Sequence, residues 1–148
     1  MADRAGDLKL VLFLILERER SGRREILLQR RQNTGYMDGK YDFAASGHLK
    51  AGESVEQAMR REAKEELGII VGKMDYKMLV QDVKEGYFKC VFLAREKDWR
   101  GTPEIMEPRK CSELRWYALE ALPEDEMIWY LPEILEDIEV DKTLRIFE

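Results

Sequence analysis

Apolar and polar positions follow two different periods along this chain. Leu8 to Leu16 includes the unbroken apolar run LVLFLIL, Leu10 to Leu16, and so short a run predicts a buried strand. Glu25 to Gln29 is a second apolar-rich run, separated from the first by the charged, glycine-containing ERERSGRR, and the two predict a strand pair. RRQNTGYMDGK then reads as loop, with the turn formers Asn33, Gly35, Asp38 and Gly39, before Tyr41 to Ala45 returns to extended structure. From Val55 the period changes: Val55, Met59, Ala63 and Leu67 recur every fourth residue and predict a helix over Val55 to Leu67. Ser54 is a suitable N-cap, Gln57 completes a capping box, and Gly68 suits the exit. Tyr76 to Asp82 and Tyr87 to Arg95 predict strands around a Lys84-Glu85-Gly86 turn, and Leu114 to Tyr117 another short strand. Pro132 fits the first turn of a last helix whose apolar stripe is Ile134, Leu135 and Ile138. Strands, helix, strands and helix in that order predict an α+β or mixed α/β fold.

Composition narrows the class. With 148 residues, 45% hydrophobic and 37% charged, and without repeats or a linker rich in Pro, Gly or Ser, the chain is expected to form one soluble domain over residues 1–148. The Leu10 to Leu16 run is too short to cross a bilayer, and Asp3 and Asp7 stand where a secretory leader would carry basic residues. Cys90 and Cys111 match neither a metal-ligand spacing nor a disulfide framework, so a cytoplasmic protein with free thiols and no membrane partner is expected. The net charge of −5 would repel phosphate-rich substrates at long range, so divalent cations must supply the attraction. Without a basic stripe interleaved with aromatics, the chain is not expected to bind nucleic acids generally.

The chemistry concentrates in GHLKAGESVEQAMRREAKEELGI, Gly47 to Ile69. At about 100° per residue Glu62, Glu65 and Glu66 fall within an arc of about 100°, with Glu66 at the margin of the stripe that packs on the core. Carboxylates crowded at a half-buried edge raise one another's pKa or demand a cation, and hard oxygen donors without histidine or thiolate favour Mg²⁺ or Mn²⁺ over zinc. Arg61 can pair with Glu65 along the helix or reach back to Glu53, which suits it to an orienting role. The glycine loop from Gly47 to Gly52 lets the backbone come close and aims amides near the helix start, where phosphate oxygens are favoured.

This spacing of Gly47, Glu53, Arg61, Glu62, Glu65, Glu66 and Gly68 arises by chance in roughly one window per billion at average residue usage. It resembles the box of the Nudix hydrolases, and the chain is similar to the small MutT-like members of that family. DGKYDFAASGH and EPRKCSELRWYALEALP look like flanking segments of the same family. Many MutT-like proteins carry Pro-Gly-Gly before the box where this chain has Ala44-Ala45-Ser46-Gly47.

The resemblance implies an α/β/α sandwich with a mixed β-sheet between helices. It further implies Mg²⁺-dependent attack of water on a diphosphate linkage of a nucleotide, with Glu62, Glu65 and Glu66 as metal ligands and the Gly47 loop shaping the metal site. Glu53 is then a ligand or the base. Glu107 and, less well placed, Glu104 are outside candidates for the base, because their loop could reach the attacking water. His48 lies at a variable position of the box and suits a structural or phosphate-neighbouring role better than a catalytic one. Lys110 and Arg30 or Arg31 are candidates to touch phosphates. Asn33, Tyr36, Trp129 and Tyr130 are candidates for a base pocket, with core packing the better expectation for Trp129.

The leading expectation for function is hydrolysis of an ordinary or modified nucleoside triphosphate to monophosphate and pyrophosphate. Rivals are a dinucleoside polyphosphate or a nucleotide sugar, removal of pyrophosphate from an RNA 5′ end, and a sensor that binds a nucleotide without turnover. The first proline beyond Ile69 is Pro103, which counts against the ADP-ribose branch of the family, and Tyr87 points weakly toward dinucleoside polyphosphates. The acidic surface disfavours RNA. Sensors of this family commonly lose glutamates from the box, and this chain keeps all of them. Members often pair, so a homodimer is expected as the assembly to test, although no strip in the sequence announces an interface.

Overall fold

The computed structural model of the chain describes residues 8–148; Asp3 and Asp7, on which the leader expectation rests, lie outside the described residues. Its elements are β1 (Lys9–Arg20), β2 (Arg23–Arg31), β3 (Tyr41–Phe43), β4 (Ala45–His48), α1 (Val55–Leu67), β5 (Ile70–Val71), β6 (Asp75–Asp82), β7 (Tyr87–Arg95), β8 (Trp99–Arg100), β9 (Cys111–Ala118), α2 (Leu131–Glu139) and β10 (Leu144–Phe147).

β1 continues well beyond its apolar run. The charged stretch expected to separate two strands instead forms the far half of a hairpin closed by Ser21 and Gly22, both left-handed with φ of 53° and 74°. Two such residues match the twist of the flanking strands. Charge does not break the ladder here, because Arg18 donates to Glu25 at 2.8 Å and Arg24 pairs with Glu17 across the two strands.

A large mixed sheet runs β10-β6-β7-β1-β2-β3, with β4 on β1 and β9 on β2; the β1–β7 and β10–β6 pairs are parallel and the others antiparallel. Alternation along β1 fills two cores. Leu12, Leu14 and Leu16 pack with Met59, Ala63 and Leu67 of α1, whereas Phe13 and Ile15 face Leu131, Ile134 and Leu135 of and around α2. Burial on both faces explains why the run shows no polar alternation. The fold is therefore the expected α/β/α sandwich. Among the described residues no helix is long and apolar enough to cross a membrane.

One irregularity positions the site. β1 pairs with β4 through Val11 to Leu14 and with β2 only through Glu17 to Arg20, while β2 takes β3 through Leu28 to Arg30. The sheet thus forks between β3 and β4, and a cleft opens along the free side of β4. The capping box of α1 forms as expected: Ser54 Oγ accepts from the Gln57 amide at 3.1 Å, and Gln57 Oε1 accepts from the Ser54 amide at 2.8 Å. Gly68 ends the helix in the left-handed conformation.

Candidate functional site

Helix α1 lies against β4 so that its acidic edge meets the fork. Glu66 sits at the buried margin, where the Ser46 amide faces its two carboxylate oxygens at 3.4 and 3.5 Å. Burial, then the adjoining Glu62 carboxylate, and more remotely Glu107, hold the Glu66 carboxyl well above its usual range. Gly47 makes this closeness possible, since a Cβ there would overlap the carboxylate end of Glu62. The Ala44-Ala45-Ser46 stretch that replaces Pro-Gly-Gly keeps an amide available at Ser46, and both alanines are fully buried.

Arg61 ties the loop to the helix. It donates to both oxygens of Glu53 at 2.6 and 3.0 Å, to Glu62 at 2.6 Å, to Glu65 at 3.4 Å and to the His48 carbonyl at 3.2 Å. The two alternatives read from the sequence, pairing with Glu53 or with Glu65, are both realised, Glu53 more closely. The Arg61 hydrogen bonds hold the Glu53 carboxyl below its usual range, and the Lys50 amide also donates to it at 3.1 Å. Both Glu53 oxygens are thus engaged, which suits positioning better than proton transfer.

The cleft has a volume of about 860 Å³ and takes in Glu62, Glu65 and Glu66 at one end with Gly47 and His48, and Glu107 and Lys110 on the facing loop. That loop is pinned to the end of α1, where the Glu104 and Met106 amides donate to the Leu67 and Glu66 carbonyls at 3.0 and 3.1 Å. Glu107 therefore lines the cleft, while Glu104 does not. Asn33 and Tyr36 form part of the rim, with the Asn33 amide donating to the Arg109 carbonyl at 3.1 Å. Arg30 is outside the cleft, engaged by Glu113, Glu126 and the Gly39 carbonyl. Arg31 lines the cleft, but its donors are taken by Asp42, the Tyr36 carbonyl and Thr34, so it braces the rim.

Trp129 departs from the core-packing expectation: it is 43% exposed, and its indole N–H donates to the Tyr36 hydroxyl at 2.7 Å. Tyr130 is the buried member of the pair and belongs to the cleft. Sequence reasoning missed Lys89, Asp82, Glu85 and Gln29, which line the cleft together with Tyr87, the residue weighed only as a mark of dinucleoside polyphosphate substrates. Only Lys89 carried a signal, as a charge at an inward position of a strand otherwise alternating into the core.

Among the described residues no group of three or more His, Cys, Asp or Glu side chains is drawn together as a ready metal cage. Arg61 occupies the space between Glu53, Glu62 and Glu65, and Glu65 turns outward with its side chain 49% exposed. The donor set nevertheless fits a hard divalent cation, because the crowded Glu62 and Glu66 carboxylates are relieved by positive charge.

A mixed sheet between two helices, with an acidic helix edge facing a cleft, defines a class of small α/β proteins. The NUDIX domain family matches residues 9–138, and the chain belongs to that family. It is 29% identical in sequence to a MutT NUDIX hydrolase from Burkholderia pseudomallei, with a TM-score of 0.72 over 86% of this chain and 95% of that one. The NUDIX domain of Shewanella oneidensis NrtR, solved with ADP ribose, shares the fold at 16% identity and a TM-score of 0.69, covering 88% of this chain and 86% of that one. An NAD-capped RNA hydrolase, NudC, of Pseudomonas aeruginosa is 28% identical over 99 residues, 67% of this chain. The chain spans about a third of the length of that curated relative, 34%. The hydrolase names belong to these relatives; the NUDIX family, of which this chain is a member, generally uses divalent metal ions.

Proposed function

We propose that this protein is a cytoplasmic, Mg²⁺-dependent hydrolase of nucleoside diphosphate-linked substrates, foremost an ordinary or modified nucleoside triphosphate cut to monophosphate and pyrophosphate. The observation that carries this reading is the Glu62–Glu66 carboxylate pair, brought close where Gly47 leaves room and Arg61 holds Glu62, in a cleft of about 860 Å³. Glu62, Glu65 and Glu66, with the backbone at Gly47, would hold Mg²⁺ or Mn²⁺. The cation, when bound, neutralises phosphoryl oxygens and favours ionisation of water. Arg61 keeps Glu62 aimed and the loop closed on the helix. Glu107, which lines the cleft from a loop pinned to the helix end, would take the proton of the attacking water. Lys110, which lines the cleft on the same loop, would offer a positive charge to the phosphates.

The test is product analysis on ordinary and oxidised nucleoside triphosphates, dinucleoside polyphosphates, nucleoside diphosphate sugars and NAD, with Mg²⁺, Mn²⁺ or chelator. NAD is included because of the name of the NudC relative. Monophosphate and pyrophosphate from a triphosphate, lost on chelation and in Glu65→Gln, is the expected result. Turnover of another member alone would replace the substrate, and binding of nucleotides without turnover would make the protein a sensor.

A further inference from the structure

The end of the cleft away from α1 contains a cation that the chemistry above does not use. Lys89 is an inward residue of β7, only 8% exposed, and lines the cleft. Its ammonium stands 3.9 Å from the centre of the Tyr130 ring, with Phe13 and Trp129 within 5.6 and 5.8 Å. Among the described residues it forms neither an ion pair nor a side-chain hydrogen bond. Asp82, Asp42 and Glu85 lie near enough to moderate its charge, yet burial still pulls the ammonium below its usual pKa. Among the described residues no buried side-chain nitrogen is left without a partner, so the ammonium itself opens onto the cleft, and its three donors face water there or an acceptor on a bound ligand. Tyr130 cannot move aside to change this, because its hydroxyl donates to Asp42 at 2.8 and 2.9 Å, and Asp42 is held in turn by Arg31 at 2.9 Å.

A nucleotide with its phosphates at α1 extends its base toward this end. The atoms farthest from the phosphates are then the exocyclic group at position 6 of a purine or position 4 of a pyrimidine. A carbonyl there accepts from an ammonium, whereas an amino group sets donor against donor. The exposed Tyr36, joined to Trp129, offers a ring at the cleft rim on which the base can lie.

We propose that Lys89 is a specificity-determining residue that selects nucleotides whose base presents a carbonyl at its outer edge over those presenting an amino group. This rests on the nucleotide-hydrolase reading, and the experiment separates the two. Inosine and adenosine triphosphates differ at position 6, and uridine and cytidine triphosphates at position 4, so each pair isolates the group in question. kcat/KM for all four is measured with the native protein, Lys89→Met and Lys89→Arg. Binding of inosine and adenosine monophosphates is measured by calorimetry without metal.

The native protein is expected to favour the carbonyl member of each pair. Lys89→Met should lower that preference about 10- to 100-fold, the worth of one charge-assisted hydrogen bond, by losing the carbonyl substrates alone. Lys89→Arg should retain part of it. An unchanged preference in Lys89→Met overturns the proposal. So does an equal loss for all four nucleotides with weaker inhibition by inorganic pyrophosphate, which would make Lys89 a phosphate contact. If nothing is hydrolysed but inosine monophosphate binds better than adenosine monophosphate in a Lys89-dependent way, the hydrolase reading falls and the selectivity stands. If nothing binds or turns over, both fall.

Discussion

Gly47→Ala separates the chemistry of the site from the stability of the fold. Gly47 is in β4, and its φ lies outside the left-handed region, so alanine has no backbone objection. The obstacle is steric and local, because the new methyl overlaps the carboxylate of Glu62. That group is the far end of a flexible side chain and can swing away, but only by giving up its 2.6 Å bond to Arg61 and its place beside Glu66. A charge-assisted hydrogen bond contributes about 1.5–3 kcal/mol. Arg61 keeps Glu53 in the variant and can follow the displaced Glu62 carboxylate, which recovers part of that bond, so we expect a net loss of about 1 kcal/mol. In a protein of this size that lowers Tm by about 2–4 °C. Activity should suffer far more, since displacing one positioned charged group typically costs about 10²- to 10³-fold. The assay is thermal unfolding beside kcat/KM on the best nucleotide, together with the Mg²⁺ concentration for half-maximal rate, which should rise. Activity within about threefold of native would refute the argument that Gly47 is required for the placement of Glu62. A Tm loss of about 15 °C or more would show instead that the position is a packing site.

Two further outcomes follow from the same geometry. The folded state raises the Glu66 carboxyl from its ordinary value of 4.5 to about 9, so its contribution to the stability of the metal-free protein is fully present below pH 4.5 and is lost as pH rises through about 9. Thermal unfolding with chelator against Mg²⁺ should show a falling curve flattened by the cation, and a metal-free Tm that rises from pH 5 to 8 in Glu66→Gln and native alike would count against it. Leu14, fully buried on the α1 side of the sheet, should cost about 3 kcal/mol on replacement by alanine, read by urea unfolding.

Where local rules govern, the sequence was legible. Helix α1 runs from Val55 to Leu67 as its fourfold apolar spacing and capping box require, because caps and periodicity are settled within a few residues. The crowding of Glu62 with Glu66 follows from helical geometry as well, and β7 spans Tyr87–Arg95 as read. The small β5–β8 pair and β10 were not anticipated, since two to four residues of strand have little pattern of their own and form by finding a partner. The charged half of β1 looked like loop for a related reason: its glutamates and arginines are compatible with a strand once β2 supplies the opposite charges.

The sequence by itself thus determined the family, the box, its carboxylates and the unbroken apolar run that makes β1 a buried strand. Tertiary structure decided which Arg61 pairing is closer, that Arg30 and Glu104 fall outside the cleft, and that Trp129 is exposed against Tyr36 while Tyr130 is buried. It also brought Lys89 of β7 onto Tyr130 before α2, and the Glu107 loop onto the end of α1. The physical reason is the fork in the sheet: the cleft belongs to no single element, and its walls meet only when distant strands pair.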